Sequence, residues 1–130
     1  MTKSLSLYSM KQILILILSV FSLASYAQKP EELQNSYNYK RGLELLQGDN
    51  PNQSDALASF QKEVAEHPNN GYAWYCMGSI YDNNDQEGDA LICTNKAVEL
   101  LRKDKSWITY AYSLRARINI KLNHEDLALK

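Results

Sequence analysis

The chain has 130 residues, with 14 Lys and Arg against 15 Asp and Glu, for a formal net charge of −1. Hydrophobic residues at 45% and aromatics at 10% describe a globular chain, and five Gly, three Pro and two Cys exclude collagen-like, low-complexity and disulfide-stapled classes. The near-neutral balance leaves no electrostatic footprint for nucleic acid or an anionic membrane surface, and the length allows one domain.

The first element is a leader. Lys3 and Lys11 sit among Ser and Thr, an apolar run spans 13–24, and Ser25-Tyr26-Ala27 precedes the polar segment that opens at Gln28. A basic start, a short apolar stretch and a small-x-small site predict a secretory signal peptide over 1–27, cut after Ala27, with either Met1 or Met10 as the start. Twelve apolar residues rise about 18 Å as a helix, short of a hydrocarbon core of about 30 Å, so cleavage is favoured over a retained anchor. No Cys stands near the cut to accept a lipid. Without Lys3 and Lys11 the balance becomes 12 against 15, a net −3.

The remainder, 28–130, repeats itself. Segments beginning Ser54-Asp55-Ala56-Leu57, Gly88-Asp89-Ala90-Leu91 and Asp126-Leu127-Ala128-Leu129 align, with Ala56 and Ala90 34 residues apart and Ala90 and Ala128 38 apart. Upstream of each stands a small residue in an apolar helix: Gly42, Gly78 and Ala116. A period near 34 carried by paired helical patterns is a solenoid signature. The first repeat, about 31–68, opens with a helix over about 31–47. The breaker Gly48-Asp49-Asn50-Pro51-Asn52 follows, and Ser54-Asp55 is expected to cap the second helix, which His67-Pro68-Asn69-Asn70-Gly71 ends. In the second repeat, 71–104, Trp74, Met77, Gly78 and Tyr81 form one helical stripe, and Asp82-Asn83-Asn84-Asp85 is a turn. Ala90, Ala97, Val98 and Leu101 make the packing face beyond it. Gly78 costs about 1 kcal/mol of helix propensity, tolerable if the partner helix, at Ala90, must approach its backbone closely. The third repeat is expected from about Thr109 to Lys130, offset by an extra turn. Its first helix would place Ala111, Tyr112, Ala116 and Ile120 on one side, and its second has only begun at Lys130.

Trp74-x-x-Met77-Gly78-x-x-Tyr81, followed by Ala90 and Ala97, resembles the tetratricopeptide repeat, with Met in the Leu slot and Thr94 where an aromatic is usual. The first repeat contributes Ala56-x3-Phe60 and the closing Pro68, which Arg102 replaces in the second. The resemblance implies an all-α fold of antiparallel helix-turn-helix repeats, stacked as a short right-handed solenoid behind the signal peptide. It further implies a concave groove on the first helices, exposing Tyr39, Lys40, Tyr72, Tyr75, Cys76, Ser79, Tyr110, Arg117 and Lys121 to a peptide or partner helix. Relatives that grip a C-terminal carboxylate do so with Lys, Asn and Arg. Ser36, Leu43, Cys76, Tyr110 and Leu114 occupy those positions here, so that clamp is lacking.

No residue pattern supports chemistry. His67 and His124 read as solvated turn residues, and Glu63 with His67 lacks the further ligands zinc needs. His124-Glu125 begins like a zincin motif, but Ala128 stands where the second His belongs. Cys76 and Cys93 leave a disulfide and two semi-buried thiols both open. The glycines form no phosphate loop. The expected function is therefore a non-catalytic protein- or peptide-binding adaptor of the cell envelope, without metal, cofactor or nucleic acid and without a membrane span after cleavage. The alternatives are the docking or sensory front of a larger protein, and an array that pairs with a second copy. Tyr75→Ala is expected to spare folding while weakening partner binding.

Overall fold

The computed structural model describes residues 9–15 and 28–128, with side chains as far as His124. The chain divides into two compact units, Met1–Pro30 and Glu31–Lys130. In the first, residues 9–15 are helical; most of the apolar run and the expected cut after Ala27 lie outside the described residues. No helix among the described residues is long and apolar enough to cross a membrane.

From Pro30 onward the described chain is helical: α1 (Pro30–Gln34), α2 (Tyr37–Leu46), α3 (Gln53–Glu66), α4 (Gly71–Asn83), α5 (Glu87–Leu100) and α6 (Lys105–Ala128). The helix expected over 31–47 is in fact two, because the Asn35 side chain donates to Glu31 O at 2.9 Å and Ser36 turns extended at ψ 146°. Helix α3 starts earlier than Ser54: Asn52 is its cap, its Oδ1 accepting from Asp55 N at 3.0 Å. Asn70 caps α4 in the same way through Ala73 N at 3.2 Å. The turn after α4 falls where its polar cluster placed it, with Asp85 taking the left-handed φ of 56° that Asp tolerates better than most residues.

Helices α2 and α3 form one hairpin and α4 and α5 the next, the short turns making each pair antiparallel. Successive first helices run parallel. Tyr72 near the start of α4 meets Trp107 near the start of α6, while Asp82 at the end of α4 meets Arg117 farther along α6. The core collects the repeat signature: Ala56, Phe60, Ala90 and Ala97 are fully buried and Met77 nearly so. Trp74 and Tyr81 are half-buried on its edge, with Trp74 Nε1 donating to Pro68 O at 2.9 Å.

Each hairpin closes on a glycine. A Cβ on Gly42 would lie 2.5 Å from the Phe60 ring, and one on Gly78 2.6 Å from Thr94 Oγ1. The residue pressing on Gly78 is thus Thr94, with Ala90 behind it through its carbonyl at 3.4 Å. Thr94 replaces the usual aromatic without loosening the contact, because its hydroxyl donates to Ala90 O at 2.6 Å and is held flat against its own helix.

The third repeat departs from expectation. Helix α6 starts at Lys105, 34 residues after Gly71, so no extra turn intervenes. It then continues unbroken to Ala128, and no second helix begins among the described residues. Its buried face is Ala111, Leu114 and Ile118, whereas Ala116 is exposed beside Tyr112 and Ile120. Ala116 is not packed as Gly42 and Gly78 are: the face it shares with Tyr112 and Ile120 is exposed, and no second hairpin helix covers it among the described residues. The side chain of Ala128 lies outside the described residues.

Candidate functional site

The surface expected from the first helices divides into residues that pack and residues that remain available. Tyr39 and Tyr72 belong to the core, 3% and 2% exposed, and so cannot line a groove. Their rings stand 6.3 Å apart, joining α2 to α4, and Tyr39 also meets Phe60 at 5.9 Å. Cys76 is buried as well, near Tyr39. Ser79 is half-buried on α4, and Lys40 is exposed on α2.

Trp107, which no sequence pattern singled out, is the hub of the remainder. Its ring meets those of Tyr72 at 5.2 Å, Tyr75 at 5.5 Å and Tyr110 at 6.0 Å, all in edge-to-face geometry. Tyr75 and Trp107 are half-buried, while Tyr110 keeps 60% of its surface. Tyr75 is therefore partly a packing residue, and Tyr75→Ala would lower stability as well as any binding. Tyr110 is the cleaner probe of the surface.

Arg117 and Lys121 are engaged within the fold. Asp82, 2% exposed, accepts from Arg117 Nε at 2.8 Å and lies 2.7 Å from Arg117 Nη2 and 2.9 Å from Lys121 Nζ. Lys121 also donates to Asp82 O at 3.1 Å and stands 3.6 Å from Glu87 and 3.7 Å from Asp85. Burial alone would push the Asp82 carboxyl up, but hydrogen bonds from Lys121 and Arg117 outweigh it and hold the group below the usual aspartate range. The hydrogen bond to Asp82 correspondingly pushes Lys121 up. This clamp fastens α6 to the α4–α5 turn. Its acidic half was visible in the sequence only as a turn.

Two further polar locks were not anticipated. Asp104 accepts from the Tyr72 hydroxyl at 2.7 Å and caps α6 through Ser106 N and Trp107 N at 3.2 and 3.1 Å. Glu63, fully buried, accepts from Asn70 Nδ2 at 2.8 Å and lies 3.0 Å from His67 Nδ1; Asn70 Nδ2 also donates to Leu33 O at 3.0 Å, fixing α1. His67 is thus a half-buried partner and not a solvated turn residue. His124 is exposed. Among the described residues, no three His, Cys, Asp or Glu side chains converge as a metal site requires.

The buried acidic protons have a measurable consequence. Burial pushes Cys76 up to about 12 and Cys93 up to about 11, and both thiols are free. Burial, then the bond to Asp104, pushes Tyr72 up to about 12, and burial pushes Tyr39 up as well. In the unfolded chain these groups ionise near their ordinary values of 9.0 for Cys and 10.0 for Tyr. The fold therefore keeps its full stability below that range and loses it as pH climbs toward 12. Thermal melts should fall steeply over that window. A flat melting temperature through pH 11 would contradict the burial of these protons.

Residues 59–92, the end of α3, all of α4 and the start of α5, match a family model described as tetratricopeptide repeat. A peroxisomal targeting signal 1 receptor from Dictyostelium discoideum is 29% identical over 70 residues. That alignment covers 54% of this chain and 11% of the receptor, so the chain spans a small part of the relative it matches. No solved structure matches the chain.

Proposed function

Because the chain carries tetratricopeptide repeats, we propose that it is a non-catalytic adaptor that holds a protein or peptide segment against the first helices of its repeats. The observation that carries this reading is Tyr110. A large aromatic left 60% exposed at the rim of an aromatic cluster, beside half-buried Trp107 and Tyr75, offers rigid contact area with polar tips. Exposed Lys40 and half-buried Ser79 extend the surface toward α2 and along α4.

The signal-like composition of residues 1–27 supports an exported protein working in the bacterial periplasm or cell envelope, with mature numbering from Gln28. Mass spectrometry of the protein recovered from its native envelope tests this; an intact Met1 or Met10 start would replace cleavage with a retained anchor. A second reading, favoured by the small share of the receptor that the match covers, makes these repeats the docking element of a larger protein.

The adaptor reading is tested by capture of binding proteins on the immobilised chain. Tyr110→Ala should abolish retention of a specific partner, and Ile92→Ala, at an exposed position on α5, should keep it, both with unchanged melting temperature. Equal retention by the two variants would remove the first-helix surface from the function.

A further inference from the structure

Helix α1 stands apart from the hairpins. Its five residues are too few to persist as an isolated helix, and no other helix packs along its length. Two anchors hold it: Leu33, buried in the core that includes Tyr39 and Tyr72, and Leu33 O, which accepts from Asn70 Nδ2 at 3.0 Å. The division between the two compact units also falls within it, after Pro30. One apolar side chain and one hydrogen bond exceed the conformational entropy of ordering five residues by little, so α1 can open without disturbing the hairpins.

Closure leaves two polar atoms unsatisfied beside it. Glu63 is fully buried; its Oε1 accepts from Asn70 Nδ2 and lies 3.0 Å from His67 Nδ1, while Oε2 has no partner among the described residues. Ser36, which turns the chain from α1 into α2, keeps its hydroxyl buried and equally without a partner. Asn70 Nδ2 bonds to Glu63 and to Leu33 O together, so the half-satisfied carboxyl group borders the slot that Leu33 fills. A buried polar atom with no partner costs free energy that opening returns, because water or another donor can then reach it.

We propose that α1 is a displaceable strap, and that the slot beneath it binds a peptide segment carrying a leucine-sized side chain, a backbone carbonyl for Asn70 Nδ2 and a basic donor for Glu63 Oε2. In the closed chain α1 supplies the first two and not the third, so such a segment competes with it. This goes beyond the adaptor reading, whose surface at Tyr110 lies on α6.

The test is fluorescence anisotropy with the full chain and a labelled peptide of residues 28–36. Binding to the wild-type chain should be weak, because α1 already fills the slot. In a chain carrying Leu33→Asp, which releases the strap, it should tighten about tenfold if α1 is closed roughly nine-tenths of the time. Leu33→Asp in the peptide should abolish binding, and Glu31→Lys with Glu32→Lys in the peptide should strengthen it by offering Glu63 a donor. No binding to the released chain, or equal binding of the lysine and glutamate peptides, would overturn the proposal. Amide exchange on the wild-type chain gives an independent reading. The Asn35 N–H, bonded to Glu31 O, should exchange by local opening, faster than the amides of α3 and with no dependence on denaturant. Protection of Asn35 equal to that of α3 would overturn the strap, as would loss of the helical circular dichroism signal in the Leu33→Asp chain. None of these outcomes bears on the Tyr110 surface, which Tyr110→Ala tests separately.

Discussion

Gly78→Leu should unfold the second hairpin, with a loss of about 3 kcal/mol or more, although Leu is the better helix former by about 0.8 kcal/mol. The first added carbon alone meets Thr94 Oγ1 at 2.6 Å, and Ala90 O at 3.4 Å stands close behind. The threonine cannot swing away cheaply, because its hydroxyl is bonded to Ala90 O at 2.6 Å in a fully buried position. A double-mutant cycle isolates the contact. Gly78→Ala should destabilise despite its gain in propensity, Thr94→Ala alone should cost little, and the pair should recover most of the loss. Additive effects in denaturant melts would place the strain somewhere other than this contact. The same substitution at exposed Gly88, whose Cβ would meet nothing, should be neutral or stabilising.

Replacing Asp82 by Ala is the second large effect, expected at about 2 kcal/mol. A fully desolvated pair would cost more. Arg117 and Lys121, however, are 57% and 36% exposed at their side chains and recover part of their hydration once released. The loss should be local as well as global. Amide exchange should accelerate along α6 and spare the α2–α3 hairpin, since the clamp links α6 to the end of α4. The wild-type chain should show the same dependence through pH. The folded Asp82 pKa lies below the ordinary 3.8, so its contribution is present above that value and declines as pH falls beneath it. In Asp82→Ala the acid limb of the stability profile should flatten. An unchanged acid limb would assign acid unfolding to other carboxylates, with Asp104 next, because its bond from Tyr72 also holds it low.

Much of the fold was legible because the repeat writes its packing rules in small residues. The 34-residue step from Ala56 to Ala90 located both hairpins, and Gly42 and Gly78 marked where helices touch. What approaches each glycine was less legible. The repeat pattern contained Phe60 without showing that it packs on Gly42, and Thr94, standing where an aromatic is usual, proved to be the contact at Gly78. The third repeat misled for a related reason. Ala116 was read by its likeness to the two glycines, yet a small residue marks an interface only when another helix is there to fill it, and at α6 none is among the described residues.

The site divides along the same line. Periodicity placed Tyr39, Tyr72, Tyr75 and Tyr110 on the first helices, but a helical position does not say whether the neighbouring helix lies close enough to bury the ring. Contact with Phe60 and Trp107 buries Tyr39 and Tyr72, and only Tyr110 stays largely free. Arg117 and Lys121 looked like groove cations because their partner, Asp82, lies 35 and 39 residues away and reads locally as turn punctuation. By itself the sequence determined helix identity, hairpin pairing and the repeat period, since these follow from local propensity and apolar spacing along one chain. Which aromatics pack, which cations are already paired and which face of α6 is left uncovered were decided only by the tertiary structure. Each depends on distances between residues one full repeat apart, where sequence spacing sets the step but not the contact.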